Sequence, residues 1–298
     1  MHMKVTTASR SHQITTVEVP CGAGALDDRC KDGPARFRQI GDPALRSRGI
    51  VLAWQRISYE LGTAAAAPID VVSRTARWTA GITCRLTTCG DTFVVIGGDH
   101  SCAIGTWSGV ADGLRKSGPL GLVWLDAHMD MHVPETTHSG AINGMPMACL
   151  LGYGAPQLIS VAETDPAIEP HNLCLVGTRS FEPEELEFAE RLGVHVIDMD
   201  EVCRQGISAA LSRAQEIAAN GTAGYGVSLD LDAFDPVDAP GVGTPEPGGI
   251  GAAAFLDVWS RLTRDSKCLG IEIAEYNPSC DHAGRTARLM GDLISAAV

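Results

Sequence analysis

The chain has 298 residues, enough to bury one large hydrophobic core or two small ones. Hydrophobic residues make up 45% and charged residues 20%, as in an ordinary globular protein. The formal net charge of −13 argues against nucleic acid and anionic membranes as partners, and no apolar run reaches the roughly 18 residues of a membrane span.

The ten cysteines are scattered and form no CxxC pair. The first thirty residues show no secretory signal, so we expect reduced, mostly buried thiols and a cytoplasmic protein. The amino-terminal part predicts an alternating segment at 13–19, a glycine-rich loop and a helix that begins near Arg36. A phosphate-binding loop is the alternative for these glycines, but no Lys-Ser/Thr pair follows them.

A helix is predicted at 70–88, and from residue 92 apolar strands alternate with helices. The predicted strands are 92–96, 120–125, 173–176, 194–197, 225–231 and 269–273. The predicted helices are 102–115, 144–151, 183–192, 208–219, 252–264 and 286–297. This alternation indicates a mostly parallel sheet with helices on both faces, in one α/β domain that spans 1–298.

The strand predicted at 120–125 runs into a segment of metal-type ligands, Asp126, His128 and Asp130. In an extended chain these side chains point to one face, where two carboxylates and an imidazole repel or desolvate each other unless a cation lies between them. The structural alternative makes His128 a core residue and the aspartates helix caps. The pattern favours metal binding.

Three further strands also end in polar residues, His100, Asp230 and Glu275, and ligands of parallel sheets bind at the carboxyl ends of strands. Asp230 and Asp232 again share one face of an extended chain. Carboxylate-rich sites suit Mg²⁺ or Mn²⁺ better than structural Zn²⁺, and four carboxylates suit two ions. Two divalent ions generate hydroxide from water near neutral pH, so we expect a hydrolase. The full set of candidate ligands is His100, Asp126, His128, Asp130, Asp230 and Asp232.

Four segments resemble motifs of the arginase (ureohydrolase) family, in the family's order: residues 97–101 (GGDHS), 126–130 (DAHMD), 228–236 (SLDLDAFDP) and 275–278 (EYNP). The resemblance covers the chain from about residue 20 to its end. It implies a three-layer αβα fold, two Mn²⁺ ions per chain and a homo-oligomer, a trimer or hexamer. The implied reaction is hydrolysis of a guanidine-type C–N bond in a small guanidino substrate, with urea as a product.

The resemblance also implies roles for individual residues. Asp130 would accept a hydrogen bond from the bridging hydroxide, Glu275 would receive the substrate guanidinium, and Thr244 matches a substrate-side position. The implied ligands are His100 and Asp130 for one ion, His128 and Asp232 for the other, and Asp126 and Asp230 as bridges. Taken alone, Glu275 has a second reading as a solvated strand-end carboxylate, and Thr244 as a turn residue.

The substrate-specificity segment departs from the arginase pattern. His132 and Ala141 stand where arginases use amide side chains to hold the substrate carboxylate, while Ser139 is kept. Asn143 takes the place of a catalytic histidine. Glu182 falls at an acidic position that contacts the substrate amino group and is one methylene longer than the usual aspartate. These differences predict a guanidino compound other than L-arginine, or a changed proton-transfer step.

Three function classes are consistent with these residues. The first is a manganese amidinohydrolase that acts on arginine or a related guanidine. The second is a catalytically impaired or non-catalytic metal-binding relative, which Asn143 favours. The third is a deacetylase-type amidohydrolase, but the paired-histidine motif and catalytic tyrosine of that class are missing from the sequence.

Overall fold

The computed structural model describes residues 12–56 and 66–297. Its strands are β1 His12–Val19, β2 Ile50–Arg56, β3 Phe93–Gly97, β4 Leu120–Leu125, β5 Leu173–Val176, β6 His195–Ile197, β7 Gly224–Asp230 and β8 Cys268–Ala274. They form one sheet in the order β2-β1-β3-β8-β7-β4-β5-β6, and every pairing is parallel.

Ten α-helices connect these strands within the described residues. They are α1 Gly33–Ser47, α2 Pro68–Cys89, α3 Cys102–Leu114, α4 Pro146–Leu150, α5 Pro156–Ile159, α6 Pro183–Leu192, α7 Met199–Gln205, α8 Ile207–Ala219, α9 Ala252–Thr263 and α10 Arg285–Ala296. None of them is both long enough and apolar enough to cross a membrane.

The sheet is covered by helices on both faces. Leu122 and Trp124 of β4 belong to one hydrophobic cluster together with residues of α2, α3 and α6. Val123 and Leu125 of the same strand belong to another cluster, with residues of α1, α8, α9 and α10. Because successive strand residues point to opposite faces, this division confirms the predicted three-layer αβα architecture.

The predicted strands and helices are found within a few residues of their expected bounds, with four differences. The sequence reading missed β2, a half-buried strand at the sheet edge, and the one-turn helix α5. It also missed α7, a short helix that begins where the Asp198 side chain accepts a hydrogen bond from the Glu201 N–H. The helix predicted at 144–151 is shorter, because a 3-10 turn at Ile142–Gly144 precedes α4. Residues 1–11, 57–65 and 298 of the predicted domain lie outside the described residues.

The sheet order brings the candidate site together. Strands β3, β8, β7 and β4 are consecutive neighbours in the middle of the sheet. Because all of them are parallel, their carboxyl ends lie at one edge. The residues that follow or end these strands, His100, Glu275, Asp230 and Asp126, therefore meet although 175 positions separate the first from Glu275 in sequence.

Candidate metal centre and active site

A cavity of about 550 Å³ opens at the carboxyl edge of the sheet. Of the twelve site residues predicted from sequence, Asp126 alone does not contribute to its wall. The other eleven line it: His100, His128, Asp130, His132, Ser139, Asn143, Glu182, Asp230, Asp232, Thr244 and Glu275. Among the residues that the structure describes, no lysine or arginine lines this cavity.

One ligand group is centred on the buried imidazole of His100. Its Nδ1 lies 3.0 Å from Asp126 Oδ2, 3.2 Å from Asp130 Oδ2 and 3.2 Å from Asp230 Oδ2. The Nε2 atom lies 3.0 Å from the Ser228 hydroxyl, which donates to Glu272 at 2.9 Å. Since the hydroxyl proton goes to Glu272, the Nε2–H of His100 donates to Ser228, and Nδ1 faces the three carboxylates, where it can hold either a proton or a metal ion.

A second group is centred on His128. Its Nδ1 lies 3.1 Å from Asp232 Oδ2 and 3.5 Å from Asp126 Oδ1. Asp126 therefore belongs to both groups, with one oxygen towards each histidine. The remaining contacts orient its carboxylate, because Trp124 Nε1 donates to Oδ2 at 2.9 Å and the His128 N–H donates to Oδ1 at 2.8 Å.

The ligands converge through loop geometry and not through the alternation of an extended chain, so that part of the sequence prediction was wrong. Strand β4 ends at Leu125, before the first ligand. Asp232 lies in a 3-10 turn, and its N–H donates to the Asp230 carboxylate at 2.8 Å. Asp130 has φ 54° and Glu275 has φ 66°. Such left-handed backbone is strained for residues other than glycine and concentrates at functional sites.

The donor set fits divalent cations. Asp130 Oδ2 is buried and accepts no well-aligned hydrogen bond from the described residues, only the ionic contact with His100 Nδ1 at 3.2 Å, although an unpaired buried carboxylate oxygen is costly. Burial and the neighbouring charge of Asp126 raise the pKa of Asp130 to about 8. Burial by itself would lower the pKa of His100, but the three surrounding carboxylates outweigh it and hold this pKa well above its usual value. Protons and metal ions therefore compete for the same atoms, as expected of a metal site.

Glu275 lies beside these groups, and the protein holds one oxygen of its carboxylate with two hydrogen bonds. Its Oε1 accepts hydrogen bonds from the backbone N–H of His100 at 2.8 Å and from Asn143 Nδ2 at 3.2 Å. Burial and the nearby charge of Asp99 raise the pKa of Glu275 to about 7. Asn143 is held in place by its own backbone, whose N–H donates to the Gly24 carbonyl at 3.0 Å.

The far wall of the cavity carries two histidines and two glutamates. His132 Nε2 lies 3.0 Å from Glu182 Oε2 and 3.5 Å from Glu185 Oε2. Glu182 and Glu185 form a capping box at the start of α6, which explains their fixed positions. His138 is more exposed, and its Nδ1 lies 3.8 Å from Glu182 Oε1.

The last two predicted residues, Thr244 and Ser139, make different contacts. Thr244 donates to Asp232 Oδ2 at 3.1 Å, so it contacts a candidate metal ligand directly. Ser139 is exposed, and its hydroxyl oxygen accepts the Ala141 N–H at 3.2 Å. The Ser139 hydroxyl proton remains available to a ligand in the cavity.

Comparison with known proteins agrees with this geometry. The model of the arginase family matches residues 12–298. The chain belongs to the arginase family. It is 34% identical to the arginase of Bacillus caldovelox over 85% of this chain and 91% of that protein. It is 31% identical to the arginase of Agrobacterium fabrum over 96% and 92% of the two chains. The crystal structure of Bacillus cereus arginase superposes with a TM-score of 0.86 at 30% identity, over 96% of this chain and 98% of that one.

The sequence analysis missed several residues that contribute to the site. Ser228 and Glu272 orient His100, and Ser228 stands two positions before Asp230, inside a motif that the sequence had already singled out. Glu185 follows Glu182 by one helical turn, a spacing that predicts a capping box. Cys30 donates to Glu275, but nothing in the sequence connects two residues that are 245 positions apart.

Proposed function

We propose that this protein is a metal-dependent hydrolase that cleaves a C–N bond of a small guanidino compound and releases urea. The observation that carries the proposal is the pair of histidine–carboxylate groups that share Asp126, beside a cavity lined by Glu275. Membership of a family whose relatives are named arginases supports the same chemistry.

Each group would hold one metal ion, and we propose Mn²⁺ because carboxylate-dominated sites with two imidazoles suit it. His100 and Asp130 would bind one ion and His128 and Asp232 the other, with Asp126 and Asp230 bridging them. The two ions supply Lewis acidity and activate water. Asp130, which has an unpaired buried oxygen, would hold the water proton.

Glu275 would orient the substrate. A guanidinium presents N–H donors in one plane, and a carboxylate accepts them in a charge-assisted hydrogen bond. The left-handed backbone of Glu275 and its bond from the His100 N–H keep this carboxylate next to the metal ligands. The guanidinium carbon would thus lie close to both ligand groups, which is the positioning that hydrolysis requires.

A second candidate function is a catalytically impaired or non-catalytic metal-binding member of the family. The observation that favours it is the Asn143 amide, which donates to Glu275. An amide cannot deliver a proton to a leaving amine at neutral pH.

We also propose that the protein is a cytoplasmic homo-oligomer, a trimer or hexamer, as the family resemblance implies. The ten free cysteines agree with a reducing compartment.

Metal analysis combined with urea release tests both candidates. Loaded wild-type protein should hold about two Mn²⁺ per chain and release urea from at least one member of a guanidine panel. Asp126→Ala should lose metal and hydrolysis together, because Asp126 has one oxygen in each group. Full activity in Asp126→Ala would refute the two-metal proposal.

Asp42→Ala is the matched control. Asp42 is also buried, but it pairs with Arg46 on α1 and does not line the cavity. This variant should keep both metal ions and the wild-type rate. Two ions per chain without urea from any guanidine would support the non-catalytic candidate.

A further inference from the structure

The carboxylate that would receive the guanidinium already accepts three hydrogen bonds from the protein. Its Oε1 accepts two of them, from the His100 N–H and the Asn143 amide. Its Oε2 accepts one, from the thiol of Cys30, whose sulfur lies 3.0 Å away. A carboxylate offers about four lone-pair directions, so the protein leaves one open, and it is on Oε2.

Cys30 reaches Glu275 from outside the cavity. The thiol is buried and does not line the cavity wall, whereas Glu275 does. Gly243, which lines the cavity, lies next to both groups: a Cβ added there would be 3.8 Å from Glu275 Oε2 and 3.9 Å from Cys30 Sγ. The thiol and a substrate guanidinium would therefore bind the same carboxylate oxygen from different sides.

The segment that carries Cys30 is firmly held. Cys30 lies in the 3-10 helix Asp28–Asp32, directly before α1. Gly33 approaches the Tyr276 carbonyl so closely that an added Cβ would lie 2.2 Å from that oxygen. Burial and the neighbouring charge of Glu275 raise the pKa of the Cys30 thiol, so that it stays protonated and remains a donor.

We propose that Cys30 is a positioning residue that fixes the Oε2 oxygen of Glu275 for a single N–H of the guanidinium. This inference rests on the proposed function, because it assumes that Glu275 receives the guanidinium. Without the thiol, Oε2 has no hydrogen-bond partner among the described residues, and the protein holds the carboxylate through Oε1 alone. The thiol takes no part in bond breaking, so its loss should weaken substrate binding more than turnover.

Steady-state kinetics on the manganese-loaded enzyme give the first test, with the guanidine that the wild type hydrolyses best. Cys30→Ala should raise KM at least about fivefold, as expected for one hydrogen bond to a charged group, and change kcat less than about twofold. Cys30→Ser keeps a donor and should restore most of the affinity. Cys174→Ala is the matched control, because Cys174 is equally buried, its thiol donates to the Leu175 carbonyl, and it does not line the cavity.

Infrared spectroscopy of the S–H stretch gives a second test that does not depend on turnover. The difference between wild-type and Cys30→Ala holoenzyme isolates the Cys30 band, which should lie at the frequency of a strongly hydrogen-bonded thiol. Guanidinium chloride, added far below denaturing concentrations, should shift this band and leave the Cys174 band unchanged.

The two tests separate failure of this inference from failure of the proposed function. A Cys30 band at the frequency of a free thiol, a band that guanidinium leaves unchanged, or equal KM values for Cys30→Ala and wild type would each overturn the positioning role. Absence of urea from every guanidine would refute the hydrolase proposal. The guanidinium-dependent shift would then still decide whether Cys30 acts on the oxygen that binds the cation.

Discussion

Asn143 is the residue whose chemistry decides between a working hydrolase and an impaired one. A histidine at this position would titrate near neutral pH and deliver a proton to the leaving amine. The asparagine instead donates a hydrogen bond to Glu275 at 3.2 Å. Two other histidines on the cavity wall, His132 and His138, both face Glu182.

Asn143→His should therefore raise kcat on the best guanidine substrate by at least about tenfold, because general acid catalysis typically contributes ~10²–10⁴ in rate. Metal content should stay at the wild-type value, since Asn143 bonds to Glu275 and to no metal ligand side chain. Asn143→Gln is the control, because it keeps an amide and should gain nothing. A lower kcat in Asn143→His would show that the site depends on the amide, and His138→Ala and His132→Ala would then identify the proton donor.

The residues at the far wall bear on substrate choice. A substrate carboxylate there would meet the carboxylates of Glu182 and Glu185, with His132 already bonded to Glu182. Ala141 offers no side-chain donor, and no lysine or arginine lines the described cavity wall. An α-carboxylate would thus be poorly compensated when it leaves water.

L-Arginine should accordingly not exceed agmatine, 4-guanidinobutyrate or other guanidines in kcat/KM. Each missing hydrogen bond to a buried polar group costs roughly 1–3 kcal/mol of discrimination. Ala141→Asn introduces an amide donor and should raise kcat/KM for L-arginine relative to agmatine. If L-arginine proves the best substrate of the wild type, the reading of His132 and Ala141 is wrong.

At the scale of elements, close packing of α3 against β7 holds the strand that ends in Asp230. Trp107 of α3 is fully buried and lies over Gly226 of β7. A Cβ added at Gly226 would lie 1.9 Å from the Trp107 ring. The ring occupies the space that a side chain would need, so the strand and helix approach each other only because this residue is glycine.

Gly226→Ala should lower the free energy of unfolding by about 1–3 kcal/mol, the usual cost of an overpacked core. Chemical denaturation monitored by circular dichroism measures the change. Gly251→Ala is the control, because a Cβ there meets nothing within 4 Å and the backbone has no positive φ. Equal stability of the two variants would contradict the packing account.

At the scale of the whole molecule, buried acidic groups couple stability to pH. Burial raises the pKa of Asp130 to about 8 and that of Glu275 to about 7. Burial lowers the pKa of His100 and of His128, but neighbouring carboxylates outweigh it and raise both pKa values. The folded metal-free protein therefore binds more protons than the unfolded chain near neutral pH. Asp126 affects stability in the opposite direction, because the two histidines lower its pKa although burial by itself would raise it. Its contribution to stability therefore changes only at acidic pH.

The Tm of the metal-free protein should fall as pH rises from about 5 to about 8, because stability decreases wherever the folded state holds more protons. Manganese replaces these protons, so the loaded protein should lose less over the same range. Asp130→Asn removes one of the raised pKa values and should flatten the metal-free profile. A metal-free Tm that rises with pH over this window would contradict the assignment.

The sequence by itself determined the alternation of strands and helices and the identity of the candidate metal ligands. Both are local properties: apolar runs form buried strands, and clustered aspartates and histidines attract cations wherever the chain places them. Tertiary structure alone decided that the ligands converge through strained turns, that Asn143 bonds to Glu275, and that Cys30 reaches the same carboxylate. These contacts join residues that are 132 and 245 positions apart. Only the order of strands in the sheet and the burial that follows from it bring such residues together.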